Sequence, residues 1–122
     1  MMKKLAVSAL CFLIGASTAA YANRTAVSLE GPESVAAGTE ITITVNVVHR
    51  GNSAFHYTNW VVIKAGSEEI ARWDFKSSDR PESENFTREF KYTVDKTVEI
   101  TAQGNCSLHG SEGPAVLKIA VE

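Results

Sequence analysis

The sequence predicts an all-β domain: an immunoglobulin-like sandwich of about seven antiparallel strands. Three observations carry that expectation. The segment "EITITVNVV" alternates strictly, with Ile41, Ile43, Val45 and Val47 on one face and Thr42, Thr44 and Asn46 on the other, the period-two pattern of a strand with one buried side. No stretch of ten or more residues carries a helical period. Strand-like segments recur at intervals of roughly 8 to 15 residues with turn signals between them.

The elements follow in order. "TAVSLE" is a first strand, and "EGPESVAAGT" after it is rich in turn residues, with Gly31-Pro32 and Gly38. "EITITVNVV" is the second strand. "WVVIKA" is a continuous apolar run, expected for a central strand buried on both faces. "EEIARWDF" follows Gly66-Ser67, so these two segments form a hairpin. "SSDRPESEN" mixes charges of both signs and reads as a solvated loop. "TREFKYTV" places Phe90, Tyr92 and Val94 on one side. "TVEITAQ" and "AVLKIAVE" complete the set. Two antiparallel sheets packed face to face are the natural arrangement for a chain of 122 residues. Trp60, Trp73 and Phe90 suit core positions, and Trp60 lies near enough to His56 to shield a site there.

The first 22 residues read as a secretory leader. Lys3 and Lys4 precede the apolar run Leu5 to Gly15, and Ala20-Tyr21-Ala22 has the small-x-small form of a cleavage site. The run is too short to span a bilayer. Cys11 lies inside it, without the residue pattern of a lipoprotein signal. Cleavage after Ala22 leaves residues 23–122 as one domain in the periplasm or outside the cell. That part keeps ten Lys and Arg, because Lys3 and Lys4 leave, against 14 Asp and Glu, hence a formal charge of −4. An acidic balance argues against nucleic acid and anionic membranes as partners. No second apolar segment would insert the mature chain into a membrane.

The chemistry-bearing residues are few. The chain has three histidines, His49, His56 and His109, and one cysteine beyond the leader, Cys106. They fall in two segments, "HRGNSAFHYTNW" and "GNCSLHG". A lone loop histidine is usually surface decoration, and a lone cysteine is usually a small buried hydrophobe. Here all four gather in two connections that a sandwich can bring to one end. An odd cysteine in an oxidising compartment also asks for a role. Imidazole and thiolate together favour iron, copper or zinc. Asn85-Phe86-Thr87 and Asn105-Cys106-Ser107 match the short glycosylation pattern, which recurs often by chance. No Ser-His-Asp arrangement, phosphate loop or carboxylate pair stands out.

"HRGNSAFHYTNWVVIKA" and "GNCSLHG" together resemble the iron-binding domain of the superoxide reductases, the desulfoferrodoxin and neelaredoxin family. That family places a histidine four residues before a Trp at the head of a strand, as His56 stands to Trp60. It also carries a C-N-x-H-G loop, which Cys106-Ser107-Leu108-His109-Gly110 resembles. "DRPESENF" and "GPESVAAGTEITITVNV" look like further parts of the family pattern. The resemblance implies a seven-stranded immunoglobulin-like fold around mononuclear non-haem iron. It implies equatorial ligands His49, His56 and His109 and axial ligand Cys106. The family's N-terminal Glu-Lys-His loop, with its fourth histidine, has no counterpart in "NRTAVSLEG". His49 is followed by Arg50 where the family has Pro, and one residue more separates His49 from Trp60. One equatorial position is therefore left open, or filled by water or an outside group.

Two functions are expected from these readings. The first is a periplasmic redox protein that reduces superoxide to hydrogen peroxide, with electrons from a donor the sequence does not identify. The second is a copper- or other metal-binding electron-transfer or carrier protein of cupredoxin-like character, although both methionines lie in the leader and the usual axial Met is missing. A homo-oligomer is compatible with either.

Overall fold

A computed structural model describes residues 24–122 of the chain. The leader reading, residues 1–22, lies outside the described residues. Eight strands follow one another: β1 (Ala26–Glu30), β2 (Ser34–Val35), β3 (Thr39–Val48), β4 (Thr58–Ala65), β5 (Glu68–Asp74), β6 (Phe86–Val94), β7 (Val98–Cys106) and β8 (Ala115–Val121). Seven are those expected. The eighth is the two-residue β2, which pairs parallel with β8. Among the described residues no helix is long and apolar enough to cross a membrane.

The strands form two facing sheets, one in the order β1-β3-β6 and the other β2-β8-β7-β4-β5. Ile43, Val45 and Val47 of β3 meet Val61 and Ile63 of β4, Ile100 and Ala102 of β7 and Ile119 of β8 in one core cluster. Burial of an aliphatic side chain of this size contributes about 1.5–3 kcal/mol, so the inward alternation fixes each strand's register. A one-residue slip would expose its whole set. The β4–β5 hairpin turns at Gly66, whose φ of 60° favours glycine.

Trp60 departs from its expected place. Thr58 pairs with Cys106, but Trp60 pairs with its neighbour Asn105, so the register shifts between Thr58 and Trp60. Such a bulge reverses which face the following residues occupy. Val61 then points into the core, fully buried. Trp60 lines a cleft of about 520 Å3 with Val62, Lys64, Arg72 and Gln103 on the other face of the sheet. It does not fill the core. Trp73 and Phe90 do pack against the core, with ring centroids 6.2 Å apart.

The 77–85 loop is solvated, as expected, but held. Arg88 comes from the inward row of β6, opposite Val45. Its guanidinium lies over Phe86 and Phe75, 4.9 and 5.5 Å from the ring centroids, and makes a two-pronged bond to Glu82 at 2.8 and 2.9 Å. That bond holds the Glu82 carboxyl at about 2, below its ordinary 4.5. A lowered folded-state value means the clamp is fully present above pH 4.5 and lost as the pH falls through about 2. We predict that the Glu82 carboxyl carbon titrates by NMR near the lower value, and that Arg88→Gln returns it to the ordinary range. An unchanged titration in the variant would mean that Arg88 does not hold the loop.

Candidate metal centre

The inward rows of β3 and β7 both run out at one end of the sandwich, and both end in a ligand type. His49 follows Val47 in the buried row of β3 and is 2% exposed. Cys106 closes the row Ile100, Ala102, Gly104 of β7 and is 1% exposed. Cys106 is thus the last residue of a strand, not a loop residue as its Gly, Asn and Ser neighbours suggested. Gly104, with no side chain, hides the alternation. Its place is structural: a Cβ there would stand 2.8 Å from Thr25 Cγ2 and 3.1 Å from Val27 Cγ1, so only glycine lets the start of β1 pack against β7.

His56 and His109 come from the two loops at the same end. Ser53 and His56 exchange backbone bonds of 2.9 and 3.2 Å around a two-residue turn. Cys106 and Gly110 exchange bonds of 2.9 and 3.1 Å around Ser107 to His109, with Gly110 at φ 80°. The loops are clamped to each other. The Ser107 N–H donates to the Tyr57 carbonyl at 2.9 Å, and the Tyr57 N–H donates to Ser107 Oγ at 3.2 Å.

All four predicted residues meet. One donor atom each of His49, His56 and Cys106 lie within 4.8 Å of one another. His109 Nδ1 is 3.3 Å from His56 Nε2 and 3.6 Å from Cys106 Sγ. Neighbouring donors around one ion, with metal–nitrogen bonds of about 2.1 Å and a metal–sulfur bond of about 2.3 Å, stand roughly 3.0 to 3.6 Å apart. The His49 and His56 rings are edge-on at 4.8 Å between centroids, as are those of His56 and His109 at 4.9 Å. Three imidazoles and a thiol converging at these separations fit a single iron, copper or zinc ion. Exposure rises across the cluster from His49 and Cys106 through half-buried His56 to exposed His109, so an ion held here would face water on the His109 side.

Several supporting residues had no signal in the sequence. The His49 N–H donates to Asn85 Oδ1 at 3.1 Å, which ties the end of β3 to the 77–85 loop. Asn52 Nδ2 donates to the Pro81 carbonyl at 2.8 Å, a second tie to that loop. A Cβ on Gly51 would stand 2.5 Å from His56 Nδ1, so Gly51 leaves the room in which that ring sits. The His109 N–H donates to Cys106 Sγ at 3.4 Å; hydrogen bonds to a ligating sulfur tune a metal's potential. Of the two glycosylation matches, Asn105 spends its amide N–H groups on Asn59 Oδ1 at 2.9 Å and the Cys106 carbonyl at 3.1 Å, and Cys106 between it and Ser107 is buried.

Comparison with known proteins agrees with this architecture. A variant of the superoxide reductase (neelaredoxin) from Ignicoccus hospitalis superposes with a TM-score of 0.71 at 24% identity, covering 84% of this chain and 85% of that one. The same reductase in a further structure gives 0.66 at 24% identity over 81% and 83%. The CARDB domain of a Pyrococcus furiosus protein gives 0.60 at 17% identity over 80% and 93%. At these identities the superpositions speak for the fold. No curated protein matches the sequence. The sequence pattern of the desulfoferrodoxin family matches residues 20–111, which include every strand but the last and all four candidate ligands, and the chain belongs to that family.

Proposed function

We propose that this protein holds one non-haem iron ion through His49, His56, His109 and Cys106 and, after export to the periplasm, reduces superoxide to hydrogen peroxide. The observation that carries the reading is the convergence of three imidazoles on Cys106, with His109 Nδ1 3.6 Å from the sulfur and 3.3 Å from His56 Nε2. Ferrous iron bound there would supply one electron to superoxide, which takes up two protons to become hydrogen peroxide, and an external donor would restore the ferrous state.

The chain's own residues divide the work. Cys106 offers the sulfur from inside the sandwich, sheltered from water and oxidants. The His109 N–H directed at that sulfur moderates its charge. His56 and His109 hold the outer side, where a small anion can arrive without any loop moving. Ligation requires deprotonated thiol and neutral imidazole, so metal binding releases protons from this set.

The test is a single-turnover experiment. Protein loaded with ferrous iron is given a superoxide pulse. The expected result is loss of the ferrous form together with about one hydrogen peroxide per iron, the stoichiometry of one-electron reduction. Oxygen release equal to the peroxide, one of each for every two superoxide consumed, with the ferrous form retained, would indicate dismutation instead. A second reading, copper electron transfer, draws on the fact that His49, His56 and Cys106 alone make the two-His, one-Cys set of blue-copper sites. Metal analysis of protein purified from its own cells separates the two.

Export is tested on its own. We expect the N-terminus of secreted material to be Asn23; material that retains Lys3 and Lys4 would contradict export by this leader.

A further inference from the structure

The cleft of about 520 Å3 on the outer face of the five-stranded sheet takes no part in the metal centre. Successive residues of a strand point to opposite faces, so Cys106, buried inside the sandwich, and this cleft lie on opposite sides of β7. The floor is β4. Trp60, Val62 and Lys64 line it in alternation, and residues two apart on a strand stand about 6.8 Å apart, so the floor runs about 14 Å. Val62 lies between Arg72 and Gln103, and Lys64 between Glu69 and Thr101. Val62 is only 9% exposed although it faces outward, because these neighbours rise around it. Trp60 stays partly exposed, with the Arg72 guanidinium carbon 5.9 Å from its ring centroid. Arg72 also donates to Asp74 at 3.0 and 3.1 Å and to Glu69 at 3.2 Å. With Lys64 counted, two cations face two carboxylates and the charges balance. Among the described residues the Lys64, Thr101 and Gln103 side chains carry no hydrogen bond, so their donors and acceptors face water.

We propose that this cleft is a binding site for a neutral oligosaccharide. A sugar ring has an apolar C–H face, which suits the negative π face of an indole, and a rim of hydroxyls that both donate and accept. Trp60 and Val62 supply the apolar side. Lys64 donates, Glu69 accepts, and Gln103 and Thr101 do both. The balanced charge gives no preference for a phosphorylated or acidic ligand. A peptide strand is a poorer fit, because it would need free backbone groups, and β4 is paired on both sides, with β5 and with β7. The volume falls in the range of small-molecule sites, and the length suits a short chain of rings. The site binds without cleaving. Glycoside hydrolysis uses a carboxyl on each side of the scissile bond, whereas Glu69 and Asp74 are both tied to the one guanidinium of Arg72. The proposal is independent of the metal reading, since no residue is shared between the two sites.

The two tryptophans make the test internal. Trp60 lines the cleft and Trp73 packs against the core. Protein labelled with nitrogen-15 is titrated with maltotriose, cellotriose and tri-N-acetylchitotriose, and with trigalacturonic acid as the acidic counterpart. At least one neutral trisaccharide is expected to shift the Trp60 indole N–H and the Gln103 side-chain amide in a saturable way and to leave the Trp73 indole where it was. Trp60→Ala should weaken that binding at least tenfold, read at the Gln103 amide, while an unchanged Trp73 signal shows the variant folded. Gln103→Ala, a change on the outer face of the sheet, should also weaken it, read at the Trp60 indole. Absence of a saturable shift with all three neutral sugars would overturn the proposal. So would a shift that survives both substitutions, or one that moves Trp73 as much as Trp60. Clearly tighter binding of the trigalacturonic acid would overturn the assignment of a neutral ligand.

Discussion

Replacing Cys106 by serine is expected to remove the visible colour of the metal-loaded protein and to weaken metal retention on the order of 100-fold or more. Loss of a residue that merely orients a ligand costs 10–100-fold, and Cys106 is a proposed ligand itself. The colour comes from thiolate-to-metal charge transfer, which a hydroxyl does not provide. The substitution also puts a hydroxyl at a site 1% exposed, where an unsatisfied polar group costs about 1–3 kcal/mol. Cys106→Ala avoids that penalty and should behave alike spectroscopically. Retention of the absorption band in both variants, with circular dichroism showing both folded, would remove Cys106 from the metal.

Gly51→Ala is expected to cost metal affinity while sparing the fold. The new methyl would stand 2.5 Å from His56 Nδ1, 2.7 Å from Cε1 and 3.0 Å from Cγ. Carbon does not approach a ring that closely, so the imidazole must swing away by roughly 1 Å; displacements of that size cost about 100-fold where geometry is demanding. Gly51 also has φ 155°, a region that other residues seldom adopt. It sits in a half-exposed connection outside the core, so the melting temperature should change by only a few degrees. Chelator competition and a thermal melt measure both effects. Unchanged affinity would show that the His56 ring can bind from a different position, or that it is not a ligand.

How much of this was legible in the sequence depends on side-chain parity. β3 announces itself, because Ile41, Ile43, Val45 and Val47 repeat every second residue and all are buried. His49 extends the same row and could have been read as inward on that ground alone. β7 hides its end, because Gly104 interrupts the apolar row and Cys106 then looks like a loop residue. Trp60 was misplaced because a bulge consumes one residue between it and Thr58, and apolarity alone does not register such a shift. β2 is two residues long, too short to alternate, and exists through its hydrogen bonds to β8 and its neighbours, long-range contacts that no local pattern encodes. The gathering of His49, His56, Cys106 and His109 was legible because no other histidine occurs in the chain and the one other cysteine is Cys11, far from them in sequence. The Asn85, Ser107 and Gly51 contacts that set their positions were not, because Asn, Ser and Gly are ordinary loop residues until the fold places them.

The central claim is that one ion is held by Cys106 together with the three histidines. X-ray absorption at the iron edge of ferrous-loaded protein addresses it most directly. The expected result is one sulfur at about 2.3 Å and a shell of nitrogen donors at about 2.1 Å, bond lengths typical of thiolate and imidazole ligation, with imidazole multiple scattering in the outer shells. A shell of light oxygen atoms alone, with no sulfur and no imidazole signature, would contradict it.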